Sequence, residues 1–147
     1  MRARRSATVV VLFLVASSAH ADPLLTYSLR IGQHSIRAEI ANTPETRRKG
    51  LMFRNRLAAS SGMIFIFPEE QRISMWMKNT LIPLSVAFID SSGRIVNIEQ
   101  MQPMSEQTHS STRPAKFALE MNQGWFRARG IASGNTVTGL ERLPPPR

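Results

Sequence analysis

The sequence predicts a mainly β, β-rich α+β fold: a small single-domain antiparallel barrel or sandwich with two short helices. Three observations carry that expectation. Short apolar runs of period two recur from Leu24 onward, turns rich in Gly, Asn and Asp separate them, and only two stretches carry helical patterning. Many short strands with so few helices bury their apolar faces best in a sheet closed or packed on itself.

The elements follow in order. Leu25–Ile31 and His34–Ala41 flank Gly32-Gln33, a two-residue turn with Gly first, as a type II′ hairpin prefers. In the second run Ile36, Ala38 and Ile40 share one face, with Ser35, Arg37 and Glu39 on the other. Asn42-Thr43-Pro44-Glu45 opens a helix: a capping residue precedes a proline in the first turn, and an acid sits near the positive end of the dipole. That helix reaches Lys49 or Phe53, with Gly50 as its terminator. Met63–Phe67 is continuously apolar, the mark of a strand covered on both faces. Ile73–Lys78 and Ser85–Asp90 are further strands, separated at Pro83. Asp90-Ser91-Ser92-Gly93 is a turn, and Arg94–Met101 alternates again. Gln102–Pro114 is the one long polar loop. In the strand at residues 115–121, Phe117, Leu119 and Met121 oppose Lys116 and Glu120. Gly124–Arg129 reads as a helical turn, and Thr136–Leu140 as the last strand.

The domain plan has three parts. Residues 1–21 carry three arginines, a ten-residue apolar or small run from Ala7 to Ala16, and Ala19-His20-Ala21, the order of a secretory signal peptide. The run is too short for the ~20 residues a membrane-spanning helix needs. Residues 22–140 form one β-rich domain, and residues 141–147 a Pro-rich flexible tail. Cleavage near Ala21 would place the chain in the periplasm or outside the cell, as a monomer with no transmembrane segment in the mature chain. Losing Arg2, Arg4 and Arg5 takes the formal net charge from +9 to +6. Export and the lack of aromatics interleaved with bases argue against nucleic acid as a partner. A cell-envelope polymer or a small ligand suits the charge better. With no cysteine, thiol chemistry is excluded and the core must hold without disulfides.

Certain residues have a familiar order. Gly50-Leu51-Met52-Phe53-Arg54, Gly62-Met63-Ile64-Phe65, Trp76-Met77-Lys78-Asn79-Thr80 and Ile82-Pro83-Leu84 come first. Phe88-Ile89-Asp90, Gly93-x-Ile95, Pro114-Ala115, Leu119-Glu120, Gly124-Trp125 and Gly130-Ile131 continue it. This set resembles the domain of unknown function 192 family (DUF192) over about residues 36–140, as an exported bacterial member. The resemblance implies a compact β-rich domain and brings no established activity, cofactor or catalytic residue. Ser85 and Asn135 stand where relatives often have Asp.

The candidate ligand site is Trp76, Lys78, Asn79 and Thr80, with Glu120. In an extended strand residues 76, 78 and 80 share a face, aligning an indole, an ammonium and a hydroxyl suited to a small anionic or sugar-like ligand. The plainer reading makes Trp76 core, pairs Lys78 with Glu99 or Glu120, and puts Asn79-Thr80 in a turn. A binding or accessory module of the envelope is the reading favoured. One alternative is a cell-wall or carbohydrate-directed hydrolase, but no two of Glu39, Asp90, Glu99 and Glu120 are singled out by spacing, and no catalytic residue or cofactor is assigned. The other is a Cu(I)- or Ag(I)-handling protein using Met75, Met77, Met101, Met104 and His109. Against it, methionine commonly fills irregular cores.

Overall fold

The structure is a computed structural model and describes residues 25–147. The leader expected at residues 1–21 lies outside the described residues. The chain is mostly β, a seven-stranded sheet curled into a half-barrel. Its strands are β1 (Thr26–Ile31), β2 (His34–Ala41), β3 (Ser61–Gln71), β5 (Leu84–Ile89), β6 (Ile95–Met101), β8 (Ala115–Asn122) and β9 (Val137–Thr138). Two short strands, β4 (Ser74–Met75) and β7 (His109–Ser110), pair apart from it. The large sheet runs in the order β6-β5-β8-β3-β2-β1-β9.

The hairpin β1–β2 forms in the expected register, with Gly32 at φ 56 where the turn needs a left-handed residue. One pairing departs from an all-antiparallel barrel: β2 and β3 are parallel, Ile40 lying opposite Ile64. A parallel pair needs a crossover, and residues 42–60 supply one that carries the helix α1 (Pro44–Lys49). Thr43 caps α1 by accepting from the Thr46 N–H at 3.1 Å, while Thr46 Oγ1 accepts from the Thr43 N–H at 2.9 Å. Gly50 ends it at Lys49, short of Phe53. The second helical piece is a single 3-10 turn at Arg127–Arg129.

Both faces of the sheet are covered. Ile64, Ile66, Leu119, Met121 and Phe126 pack on one side, and Met63, Phe65, Val86, Phe88 and Ala118 on the other. The continuously apolar run in β3 follows from this, because alternate residues face two separate apolar layers. Ser85 lies on the Leu119 side, fully buried. Its hydroxyl donates to Gln100 Oε1 and accepts from the Gly124 N–H, each at 2.9 Å.

The expected strand Ile73–Lys78 is corrected: extended pairing covers only Ser74 and Met75. The chain turns next, with the Thr80 N–H donating to the Met77 carbonyl at 3.0 Å and Asn79 at φ 54. Asn tolerates that left-handed conformation better than most residues, and its presence is the local reason the strand stops. The loop Gln102–Pro114 contains β7, opposite β4. At the C-terminus the Asn42 side chain donates to the Pro145 carbonyl at 2.8 Å, and the Arg147 N–H to the Asn42 carbonyl at 2.7 Å.

Candidate functional site

Glu120 is the residue around which a site can be built. Strand alternation puts it on the face of β8 opposite Leu119 and Met121, across from Met63 on one side and Val86 on the other. Its carboxyl therefore enters an apolar layer that already holds Phe65 and Ala118. It is 4% exposed, and among the described residues it makes no side-chain hydrogen bond and no ion pair. Burial disfavours the carboxylate and pushes the Glu120 pKa up to about 8. At neutral pH the group is mostly the acid, able both to donate and to accept a hydrogen bond.

A cleft of about 230 Å³ opens onto this carboxyl. Residues 47–52, at and beyond the end of α1, form one wall, and Ser74–Trp76 with Thr80 form the other, with Phe65 and Phe67 between. The parallel crossover is what lays α1 against this face of the sheet. Arg47 is committed to structure: its Nη1 donates to the Ile66 carbonyl at 2.9 Å and its guanidinium lies 5.6 Å from the Phe67 ring centre. Arg48 and Lys49 are exposed, with no salt bridge among the described residues. The cleft thus pairs a protonated acid in its wall with two free cations at its mouth. A more open depression of about 610 Å³ lies beside β1 and β2, but among the described residues no buried ionisable group lines it.

Of the five residues expected to bind ligand, the structure brings Trp76, Thr80 and Glu120 to one cleft. Trp76, Lys78 and Thr80 do not share a strand face, because the turn at Met77–Thr80 separates them: Trp76 is 44% exposed and Thr80 only 5%. Thr80 Oγ1 donates to the Lys78 carbonyl at 3.2 Å, a local turn contact. Trp76 is a surface residue, not core. Lys78 pairs with Glu106 at 3.3 Å, not with Glu99 or Glu120, and its ammonium lies 5.2 Å from the Trp76 ring. Asn79 shapes the turn and does not line the cleft.

The methionines divide by environment. Met77 and Met101 are fully buried in the apolar layer, Met75 lines the cleft, and Met104 is exposed. His109 lies opposite Met75 in the small pair, its Nδ1 3.9 Å from Glu99 Oε2. Among the described residues no three His, Asp or Glu side chains gather as a metal-holding group.

Reasoning from sequence missed the basic wall of the cleft. The signal was present as the run Arg47-Arg48-Lys49 directly after a capping box. Only the crossover, which sets that run above Glu120, links the two.

Fold and cleft together define a small β half-barrel domain with a buried acid beneath a basic helix. The chain belongs to the DUF192 family, described as "Uncharacterized ACR", whose profile matches residues 27–139. A crystal structure from Sinorhizobium meliloti 1021, of a protein described as a candidate transcription regulator, is similar at 34% identity and TM-score 0.77. The match covers 80% of this chain and 96% of that one. A protein of unknown function from Novosphingobium aromaticivorans DSM 12444 is similar at 32% identity and TM-score 0.76, over 85% and 97% of the two chains. Comparison with curated proteins gives no match.

Proposed function

We propose that the protein is exported to the cell envelope and acts there as a binding module for a small anionic or sugar-like ligand, held in the cleft over Glu120. One observation carries the reading: a buried carboxyl that has no hydrogen-bond or ion-pair partner among the described residues lines a cleft together with the exposed cations Arg48 and Lys49. Burying a polar group without a hydrogen bond is costly, and a ligand that supplies the bond recovers that cost. The protonated Glu120 donates to an acceptor oxygen of the ligand, while Arg48 and Lys49 attract negative charge from the rim. Trp76 and Phe67 offer flat apolar walls against which a sugar ring or a carbon chain can lie.

A hydrolase of glycosidic bonds would need two carboxyls across the substrate. Among the described residues Glu120 is the only acid lining the cleft, which favours binding over catalysis. The ordered zones of residues 1–21 support export, and N-terminal sequencing of the protein recovered from the cell tests it, a chain beginning at Asp22 being expected.

Ligand binding is tested by thermal shift of the recovered chain against carboxylates, phosphates, sugars and peptidoglycan fragments, with Cu(I) and Ag(I) alongside. A ligand at a hundred times its Kd stabilises by about 2.7 kcal/mol, enough to raise Tm by several degrees. The shift is expected for an anionic or sugar class and is expected to vanish in Glu120→Ala and Arg48→Ala/Lys49→Ala. For an anion it should weaken above pH 8, where Glu120 ionises and repels it. No shift in any class would remove the proposal, and a shift for Cu(I) or Ag(I) alone would replace it with metal handling.

A further inference from the structure

Three segments meet beside the cleft and share an unusual backbone. The Phe53 N–H donates to the Asn79 carbonyl at 2.9 Å, and the Met104 N–H donates to the Thr80 carbonyl at 3.0 Å. The turn at residues 76–81 therefore lies between Phe53 on one flank and Met104 on the other. Phe53, Asn79 and Met104 are the non-glycine residues with positive φ among the described residues, at 64, 54 and 62 degrees. For Phe and Met that conformation is strained, and strain persists where the surrounding structure holds it.

The strain is spent on exposure. Phe53 is 67% exposed, Met104 55%, Leu81 46% and Trp76 44%; the other large apolar side chain exposed among the described residues is Leu25. Only Trp76 of the four lines the cleft, so the others stand outside it on loop segments. Scattered exposed apolar residues need no explanation, but a concentration on adjacent strained loops marks an interaction surface.

Charge identifies the occupant. Residues 46–68 carry Arg47, Arg48, Lys49, Arg54 and Arg56 and no acid, and residues 74–81 add Lys78. Across residues 102–108 the one acid is Glu106, which Lys78 already pairs. Arg54 is paired with Glu39 as Lys78 is with Glu106. Among the described residues Arg48, Lys49 and Arg56 are therefore the exposed cations of these segments without an ion pair, and the segments keep a net positive charge. Aromatic and aliphatic tips flanked by cations are the composition that seats a protein at the boundary of an anionic bilayer, the apolar tips entering the headgroup region and the cations meeting lipid phosphates. We propose that this face, built from Phe53, Trp76, Leu81 and Met104 and bordered by the exposed cations Arg48 and Lys49, docks the protein onto an anionic lipid membrane.

The test is co-sedimentation of the recovered chain with vesicles of phosphatidylglycerol and phosphatidylcholine, beside vesicles of phosphatidylcholine alone. Trp76 emission serves as a second readout, since Trp125 is buried. Wild-type protein is expected to sediment with the anionic vesicles only, with a blue shift and a loss of binding at high salt. The variant Phe53→Asn/Met104→Asn keeps residues that tolerate positive φ, so its Tm should hold while its partition falls at least tenfold. Equal partition of the variant, equal binding to both vesicles, or no binding to either would overturn the proposal. In the last case, cross-linking from position 53 that returns an acidic protein would assign the surface to that partner instead.

Discussion

Arg54 and Glu39 meet as a two-pronged ion pair, each terminal guanidinium nitrogen 2.6 Å from one of the two carboxylate oxygens. The pair joins β2 to the segment after α1 and so anchors the loop that presents Phe53. Both side chains are partly exposed, at 33% and 19%, so solvent screens some of the attraction while the planar fork keeps its geometry. Arg54→Ala is expected to cost about 1–2 kcal/mol in urea unfolding. Arg54→Lys should recover less than half of that, because an ammonium cannot match both oxygens. Full recovery by lysine would show that charge alone matters here.

Glu120 makes the protein less stable as pH rises. Its folded pKa of about 8 lies above the ordinary glutamate value near 4.5, so the folded state holds a proton that the unfolded state releases. The stability associated with the neutral form is full below pH 4.5, declines as pH rises through the interval, and is gone above 8. Glu120→Gln keeps the shape without the ionisation. It should raise stability at pH 9 by a few kcal/mol, in order of magnitude, and leave it nearly unchanged at pH 4. Chemical unfolding across that range checks this, and parallel pH profiles for the two proteins would contradict it.

Gly62 sets how closely β3 and β8 approach. A Cβ there would meet the Glu120 carbonyl oxygen and the Met121 sulfur well inside contact distance. The sulfur can swing aside but the backbone carbonyl cannot without parting the strands. Gly62→Ala is therefore expected to destabilise by about 2–4 kcal/mol, and to lower ligand affinity by displacing Glu120. Thermal unfolding gives the first effect and titration with any ligand found by the screen gives the second.

Ser85→Ala leaves the Gly124 N–H without its acceptor in a buried site. A cost of roughly 1–3 kcal/mol is expected, with Ser85→Asp milder than a buried acid normally is, since a carboxylate there accepts the same N–H. Ser85 faces the layer opposite Glu120, so neither substitution should change binding in the cleft beyond what stability dictates. A selective loss of binding in a fully folded Ser85→Ala protein would contradict that separation.

Much of the fold was legible because local rules governed it. Gly32-Gln33 turned the first hairpin, Thr43-Pro44 started α1, and the unbroken apolar run Met63–Phe67 announced a strand covered on both faces. The strand assigned to Ile73–Lys78 failed for a different reason. Its residues have ordinary strand propensity, but Asn79 accepts a left-handed backbone, and the Met77 N–H bonds to the Ser105 carbonyl at 2.9 Å instead of joining a ladder. A contact 28 positions away overrode the local pattern.

The candidate site divides along the same line. Alternation in the sequence by itself determined that Glu120 opposes Phe117, Leu119 and Met121 on its strand, because side chains in an extended chain alternate whatever surrounds them. Whether that second face met solvent or protein depended on what crossed over it. The parallel pairing of β2 with β3 set α1 over one face of the sheet, buried Glu120, and placed Arg48 and Lys49 at the mouth of the cleft above it. Only the tertiary structure decided this, since burial and the pKa it raises are properties of the neighbours that long-range pairing brings, and no short stretch of sequence contains them.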